Sequence, residues 1–276
     1  MSAWQGALWG SGRVIAEEHP ELWGGLIDLD ADAPLDRSLL ARALLAPAGE
    51  DQVALRSGER LALRLASLSE SATDAPAPAW RADGAYLVTG GLGDIALRIA
   101  AAMVGAGVRR LVLLGRTALP PRTQWMALAP ESVEGRRVAA VRALEAKGAT
   151  VHLLTADVGD AAELEAALDE YAAQSWPPIR GVVHAAGQLD NGLAGDMTRA
   201  TFDRVVMPKL HGALHLDRLL PEVELFVTFS STGSFLAQPG QANYAAANAG
   251  LDALAHDRRA RGRHALSIAW GVWAET

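Results

Sequence analysis

Residues 85–96, Ala-Tyr-Leu-Val-Thr-Gly-Gly-Leu-Gly-Asp-Ile-Ala, hold the pattern that decides the fold. The apolar run Ala85–Thr89 predicts a strand that is buried on both faces. Gly91 and Gly93, followed by Ala96, match the spacing G-x-G-x-x-[G/A], and residues of helical period come after them. A buried strand, a glycine turn and a helix in this order predict the start of a strand–helix–strand unit in a parallel sheet.

The same alternation continues to the end of the chain. Short, nearly continuous apolar runs predict further strands at Leu111–Leu114, Val151–Thr155, Gly181–His184, Leu225–Ser230 and Ala265–Trp270. Helix-period stretches alternate with them at Asp94–Ala106, Val138–Lys147, Ala161–Ala173, Phe202–Leu219 and Ala242–Arg261. This order predicts an α/β fold with a Rossmann-type, doubly wound parallel sheet over residues 84–276.

Residues 1–70 are less regular than the rest of the chain. They contain a helix candidate and three strand candidates, at Trp9–Ala16, Gly25–Leu29, Gln52–Arg56 and Leu61–Leu65. We interpret this part as a fragment that packs on the following domain. Residues 71–83 are rich in Ala, Pro and Asp without apolar periodicity, and they are predicted to form a linker.

Composition excludes several classes of protein. The 276 residues carry a net charge of −7 and no cysteine, which excludes disulfides and thiolate metal sites and argues against nucleic acid as the main partner. No apolar stretch approaches the ~18 residues of a membrane-spanning helix, and the first residues lack the cationic start of a signal peptide. We therefore expect a cytoplasmic protein with no membrane partner.

Polar and small residues at the ends of the predicted strands indicate a nucleotide site, because a doubly wound sheet binds its ligand at the carboxyl ends of its strands. Arg116 suits the 2′-phosphate of NADPH, and Asp157 could accept a hydrogen bond from the adenine. An ordinary tight turn, a solvated arginine and a helix-capping aspartate are the alternatives. The predicted cofactor-binding residues are Thr89, Gly91, Leu92, Gly93, Asp94, Ile95, Gly115, Arg116, Asp157, Val158, His184, Ala185, Ala186 and Gly187.

A second group of residues suggests carbonyl reduction. Tyr244 and Asn248 are four residues apart on a predicted helix, so they share one face of it. Ser231 ends the preceding strand, where its hydroxyl could hold a substrate carbonyl. A phenol can supply the proton if an ammonium stabilises the phenolate, and Lys209 is the best candidate. Each residue taken alone also has an ordinary structural explanation.

The combined motifs resemble the short-chain dehydrogenase/reductase superfamily and, within it, the ketoreductase domains of modular type I polyketide synthases. The motifs are TGGLG, LLGR, ADVGD, HAAG, PKLHGA, FSST, QANYAAANAGLDALA and SIAWGVW. The resemblance implies NADPH-dependent reduction of a β-ketoacyl thioester by a tetrad formed by Lys209, Ser231, Tyr244 and Asn248. It also implies an acyl carrier protein that delivers the substrate, and neighbouring synthase domains as partners.

Residues 1–70 resemble the end of the structural subdomain that precedes the catalytic subdomain in this family. By the same resemblance, we expect that most of that subdomain, and the substrate-covering lid after Thr276, lie outside the chain. Family members that form the D-hydroxyl usually show Leu-Asp-Asp where this chain has Leu189, Asp190 and Asn191. Members that form the L-hydroxyl usually carry a tryptophan where this chain has Leu236. Leu189 and Asp190 match the D pattern, although Asn191 stands in place of its diagnostic final aspartate, and the tryptophan of the L pattern is absent. The resemblance therefore favours the D product.

Three other functions have some support in the sequence. Phe229–Gly233 places a serine at a strand end but lacks the first glycine of a hydrolase G-x-S-x-G elbow. His211 and His215 have helical spacing but no evident third ligand, so no metal site is expected. The remaining alternative is a non-reducing, NADPH-binding or structural domain of the same fold.

Overall fold

The computed structural model describes residues 2–30, 33–45, 49–67 and 80–273. The chain divides into two compact units, one formed by Met1–Val14 with Trp80–Thr276 and the other by Ile15–Ala79. The first fourteen residues therefore group with the larger unit, whereas the sequence placed them in the preceding fragment. Most of the predicted linker, residues 71–79, lies outside the described residues.

Within its described residues, the smaller unit contains a three-stranded sheet, one complete helix and the last turn of the chain's first helix. Helix α1 (Ala3–Glu18) leads into this unit. The elements that form it are β1 (Leu26–Leu29), α2 (Arg37–Leu45), β2 (Gln52–Arg56) and β3 (Glu59–Ala62). Strand β1 pairs with β2 in parallel, and β2 pairs with β3 in antiparallel. The strand predicted at Leu61–Leu65 overlaps β3 only at Leu61 and Ala62, because Ser57 and Gly58, with φ of 49° and 83°, close a tight hairpin turn. Pairing therefore resumes at Glu59.

Helix α2 was not predicted, although its start carries a signal. The Asp36 carboxylate accepts a hydrogen bond from the Leu39 backbone at 2.9 Å, as an N-cap does. Its buried residues Leu39 and Ala43 pack with Val53 and Leu55 of β2 in the small unit's own core.

The larger unit is the predicted α/β domain. Its six strands are β4 (Ala85–Thr89), β5 (Arg110–Gly115), β6 (Thr150–Thr155), β7 (Ile179–His184), β8 (Leu225–Ser231) and β9 (Leu266–Trp270). They are all parallel and lie in the order β6-β5-β4-β7-β8-β9. The helices are α3 (Asp94–Gly105), α4 (Val133–Ala146), α5 (Ala161–Ala173), α6 (Arg199–Val206), α7 (Gly212–Leu219) and α8 (Ala242–Ala260). The strand order reverses between β4 and β7, and this switch point locates the site.

The predicted single helix Phe202–Leu219 is interrupted. Between α6 and α7, residues Met207–His211 form a π-helical turn. Pro208 has no backbone N–H for the carbonyl of Arg204, and that carbonyl instead accepts a hydrogen bond from the Gln188 side chain at 2.7 Å. The interruption displaces the backbone at the point where Lys209 enters the domain interior.

The first turns of α1 pack against α8 without intervening side chains. A Cβ atom at Gly6 would lie 2.6 Å from the carbonyl oxygen of Ala249, and one at Gly10 would lie 2.2 Å from that of Ala245. Arg13 donates a hydrogen bond to the carbonyl of Ser234 at 2.6 Å. Residues 3–14 thus support the helix and the loop that carry site residues. Among the described helices, none is both long and apolar enough to cross a membrane.

Candidate active site

A cavity of about 370 Å³ opens at the carboxyl ends of β7 and β8. Three of the four predicted catalytic residues, Lys209, Ser231 and Tyr244, line it together. The fourth, Asn248, is fully buried one helical turn below Tyr244. Side chains that are far apart in sequence thus meet around one space that is large enough for a small ligand group.

Lys209 enters the cavity from the π-helical turn. Its Nζ donates a hydrogen bond to the backbone carbonyl of Phe229 at 2.7 Å and lies 5.5 Å from the centre of the Tyr244 ring. The residue is only 6% exposed. Burial lowers the pKa of the Lys209 ammonium to about 8, against a smaller upward effect of the Asp252 carboxylate. The ammonium thus lies beside the Tyr244 ring.

Tyr244 and Asn248 occupy one face of α8, as their spacing predicts. Asn248 Nδ2 donates to the backbone carbonyl of Tyr244 at 2.8 Å. Its Oδ1 is buried and has no hydrogen-bond partner within the described part of the chain. The Asn248 backbone carbonyl accepts a bond from the Ser230 hydroxyl at 3.2 Å, which ties the helix to the end of β8.

Ser231 is the last residue of β8, and its side chain lies at the cavity wall. Its hydroxyl oxygen accepts the backbone N–H of Gly233 at 3.1 Å. Because this bond uses only a lone pair, the hydroxyl proton stays free to donate to a carbonyl oxygen placed in the cavity.

His184 does not face the cavity. Its ring is 1% exposed and lies 2.8 Å from the Thr89 hydroxyl through Nδ1 and 2.7 Å from the Lys209 carbonyl through Nε2. Burial lowers the pKa of the imidazole to about 4, so the ring is neutral near neutral pH. The sequence predicted a cofactor contact here, but both ring nitrogens have protein partners.

A second, smaller cavity of about 90 Å³ lies on the other side of the switch point. Arg116 reaches into this region from the end of β5, and its guanidinium donates a hydrogen bond to the Gln188 side chain at 3.2 Å. Asp157 uses one carboxylate oxygen to accept the Gly159 N–H at 2.8 Å and keeps the other available. The predicted cofactor residues that line it are Gly115, Arg116, Asp157, Val158, Ala186 and Gly187.

The glycine turn fits a closely approaching nucleotide. Gly90 has a φ of 67°, a conformation that favours glycine. A Cβ atom at Gly91 would lie 2.8 Å from the Val88 carbonyl and from the Leu113 side chain, so this glycine serves strand–loop packing. At Gly93, the N-cap of α3, a Cβ atom would lie 3.1 Å from the Gly90 carbonyl oxygen, so a side chain would crowd the turn there as well. A glycine turn, a helix start and an adjacent arginine are the groups that hold a dinucleotide phosphate.

The other predicted cofactor residues separate into two groups. Ile95 and Ala185 line the larger cavity, and Gly187 lines both cavities. The remainder are absent from both linings: Thr89, Gly91, Leu92, Gly93, Asp94 and His184.

The predicted stereocontrol residues also divide. Leu189 lines the larger cavity, whereas Leu236 is 56% exposed and does not. Asp190 pairs with Arg204, and its backbone carbonyl accepts the Asn243 amide at 2.8 Å. These contacts anchor the chain directly before Asn191.

Several cavity residues were not predicted from the sequence. Phe229, Trp270 and Trp273 form an aromatic series, with ring centres 5.3 Å and 4.9 Å apart in succession. The polar additions are Gln188, Ser230, Thr232, Gln238 and Gln241. The motif SIAWGVW contained the two tryptophans, but only the stacking on Phe229 shows that they border the same space. Among the described residues, no group of three or more His, Asp or Glu side chains could hold a metal ion.

The sequence of the chain is similar to those of known proteins. The family model of the KR domain matches residues 84–275. The 5-methyl-1-naphthoate synthase of Streptomyces sahachiroi is 43% identical over 270 residues, which is 96% of this chain and 15% of that protein. The 6-methylsalicylic acid synthase of Penicillium patulum is 41% identical over 279 residues, which is 98% of this chain and 15% of that protein.

The fold is similar to that of a solved structure. The ketoreductase PlmKR1, from the first module of phoslactomycin biosynthesis in Streptomyces sp. HK803, superposes with a TM-score of 0.80 at 36% identity. The match covers 97% of this chain and 59% of that structure. The chain spans only about 15% of the length of the two synthases named above. It belongs to the KR-domain family, the ketoreductases of polyketide synthases.

Proposed function

We propose that this chain carries the NADPH-dependent reduction of a β-ketoacyl thioester, bound to an acyl carrier protein, to the β-hydroxyacyl thioester. The observation that carries the proposal is the meeting of Lys209, Ser231 and Tyr244 around one cavity beside the switch point of the sheet. The carrier protein and the neighbouring synthase domains as partners follow from the family, and the cytoplasmic location follows from the sequence features described above. These remain predictions.

The proposed reaction divides between the cofactor and the chain. NADPH, when bound, supplies the hydride to the carbonyl carbon. As the C=O electron pair moves to oxygen, the Ser231 hydroxyl donates a hydrogen bond to that oxygen and stabilises its negative charge. The Tyr244 phenol then transfers its proton to the oxygen, which completes the alcohol.

Lys209 makes this proton transfer possible at moderate pH. A phenol has a pKa of about 10, so loss of its proton costs free energy unless a nearby positive charge stabilises the phenolate. The Lys209 ammonium, 5.5 Å from the ring centre, supplies that charge. Asn248 orders the same helical turn through its bond to the Tyr244 carbonyl, and its buried Oδ1 can accept a further bond.

The preference for NADPH over NADH rests on Arg116. Its guanidinium lines the small cavity that holds the nucleotide in this proposal, and it donates a hydrogen bond to the neutral Gln188 side chain. A 2′-phosphate would find a bidentate partner there. For the product, we propose the D-hydroxyl, because Leu189 lines the cavity and no tryptophan stands at position 236.

The test is a spectrophotometric assay with a small β-ketoacyl thioester. We expect loss of the nicotinamide absorbance, faster with NADPH than with NADH, and a chiral separation of the product that shows the D-alcohol. Tight binding of NADPH without absorbance loss for several such thioesters would instead favour the non-reducing domain.

A further inference from the structure

We propose that His184 is a positioning residue for Lys209: its neutral imidazole fixes the backbone of the π-helical turn and couples it to the glycine turn through Thr89. The inference rests on the proposed function only in that Lys209 is taken as catalytic. The geometry itself is independent of that function.

For the neutral ring of His184, the hydrogen bonds allow only one tautomer. The Lys209 carbonyl, 2.7 Å from Nε2, can only accept, so Nε2 must carry the proton. In a neutral ring Nδ1 is then the acceptor, and the Thr89 hydroxyl donates to it across 2.8 Å. The Thr89 oxygen keeps a lone pair for the backbone N–H of Ala186 at 3.3 Å. Of the two neutral tautomers, only this one satisfies all three bonds at once.

The chain of bonds connects three parts of the site. Thr89 ends β4 and begins the glycine turn, His184 ends β7, and Lys209 lies in the turn between α6 and α7. Each of these residues is at most 6% exposed. A bond buried in this way is not exchanged with water, so its loss would leave unsatisfied groups that favour a rearranged turn.

The packing around the ring leaves little freedom. A Cβ atom at Gly212 would lie 3.1 Å from His184 Cε1 and 2.9 Å from the Val158 side chain, so the first residue of α7 is nearly in contact with the imidazole. The backbone N–H of Gly212 also bonds the carbonyls of Met207 and Lys209. The ring therefore holds the turn at its carbonyl while the Lys209 ammonium is held 2.7 Å from the Phe229 carbonyl.

Two substitutions of His184 test its two ring nitrogens separately, because each retains only one of their two hydrogen bonds. The amide nitrogen of glutamine can take the place of Nε2, whereas the shorter asparagine side chain can reach Thr89 but not Lys209. His184→Asn should raise amide hydrogen exchange in residues 207–211 about two- to tenfold, the effect of one lost hydrogen bond. His184→Gln should restore exchange towards that of the unaltered chain. His152→Gln, on β6, is the matched control and should leave that segment unchanged.

The kinetic result should follow the same order. We expect His184→Asn to lower kcat by up to about 10²-fold with a nearly unchanged NADPH dissociation constant, because a small displacement of a catalytic group has effects of this size. His184→Gln should recover most of kcat. A purely structural role would lower the activity of both variants in proportion to their loss of folded protein, and this outcome would overturn the proposal.

The two measurements separate this inference from the proposed function. If the unaltered chain reduces no thioester, the proposed function fails, but hydrogen exchange still decides whether His184 holds the turn. Unchanged exchange of residues 207–211 in His184→Asn would refute the inference whatever the activity. If this variant does not fold, ¹⁵N NMR of the unaltered chain at neutral pH decides: the proton on Nε2 supports the inference, and the proton on Nδ1 overturns it.

Discussion

The two sides of the site are built in different ways. On the side of Arg116, the small cavity is lined by short segments that follow the ends of β4, β5, β6 and β7, and five of its eleven lining residues are glycine or alanine. On the side of Tyr244, the larger cavity depends on buried polar side chains from the π-helical turn, β8 and α8, connected by bonds that span 18 to 25 residues. We therefore expect substitutions around the small cavity to impair function less than substitutions around the larger cavity.

Tyr244→Phe is the substitution with the largest expected effect, and it tests the side of the larger cavity. We expect kcat to fall about 10²- to 10⁴-fold, the usual contribution of a general acid, with the NADPH dissociation constant nearly unchanged. Tyr171→Phe removes a phenol bonded to the Pro177 carbonyl and is the matched control. Steady-state kinetics with fluorescence titration of NADPH measures both quantities, and equal turnover of the two variants would remove Tyr244 as the proton donor.

Arg116→Ala tests the other side of the site. Loss of a charge-assisted hydrogen bond to the 2′-phosphate, worth about 1.5–3 kcal/mol, should weaken NADPH binding by roughly 10- to 100-fold. NADH binding should change little, since NADH lacks that phosphate. Arg136→Ala, on the exposed start of α4, is the control. Parallel weakening of both cofactors would contradict the phosphate role of Arg116.

The pH dependence of kcat reports on Lys209. Its charged form is the active one, and its pKa is lowered to about 8, so charge and activity are retained below this pH and are lost as the pH rises through it. Tyr244, Asp252 and the neutral His184 are the neighbouring titratable groups, and none supplies a replacement positive charge. One pH unit above that pKa, kcat should be about tenfold lower. A flat profile to pH 10 would contradict this role.

The smallest expected effects concern the loop of Leu189 and Asp190. Asp190→Ala removes a partly exposed ion pair with Arg204 and should lower the free energy of unfolding by only about 0.2–1 kcal/mol. Asn243→Ala removes a buried amide that bonds the Asp190 carbonyl and should cost roughly 1–3 kcal/mol. Urea unfolding compares the two variants, and a larger loss for Asp190→Ala would reverse our ranking of these anchors.

Much of the larger unit could be predicted because its pattern is local. Strands buried on both faces leave continuous apolar runs, and Ala85–Thr89 was located to the residue. The grouping of Lys209, Ser231 and Tyr244 was also predicted, since strand ends and helical spacing place them at one edge. The roles of these residues stay predictions.

The rest depends on partners that are distant in sequence. The π-helical turn follows from Pro208 together with the bond between Gln188 and the Arg204 carbonyl, and a sequence pattern shows only the proline. In the sequence, His184 is one more residue at a strand end, and only the fold shows Thr89 and Lys209 on its two nitrogens. The aromatic wall of Trp270 and Trp273 likewise needs the stacking on Phe229 to be recognised.

The central claim is that the cavity beside Tyr244 is where a carbonyl group is reduced. The most direct measurement supplies NADPH that carries deuterium at its transferable position, together with a β-ketoacyl thioester, and locates the label in the product by mass spectrometry and NMR. We predict one deuterium on the carbon that bears the new hydroxyl, in the unaltered chain and in Tyr171→Phe, whereas Tyr244→Phe should form the labelled alcohol at least about 10²-fold more slowly. Unlabelled alcohol, or no alcohol while NADPH remains bound, would contradict the account.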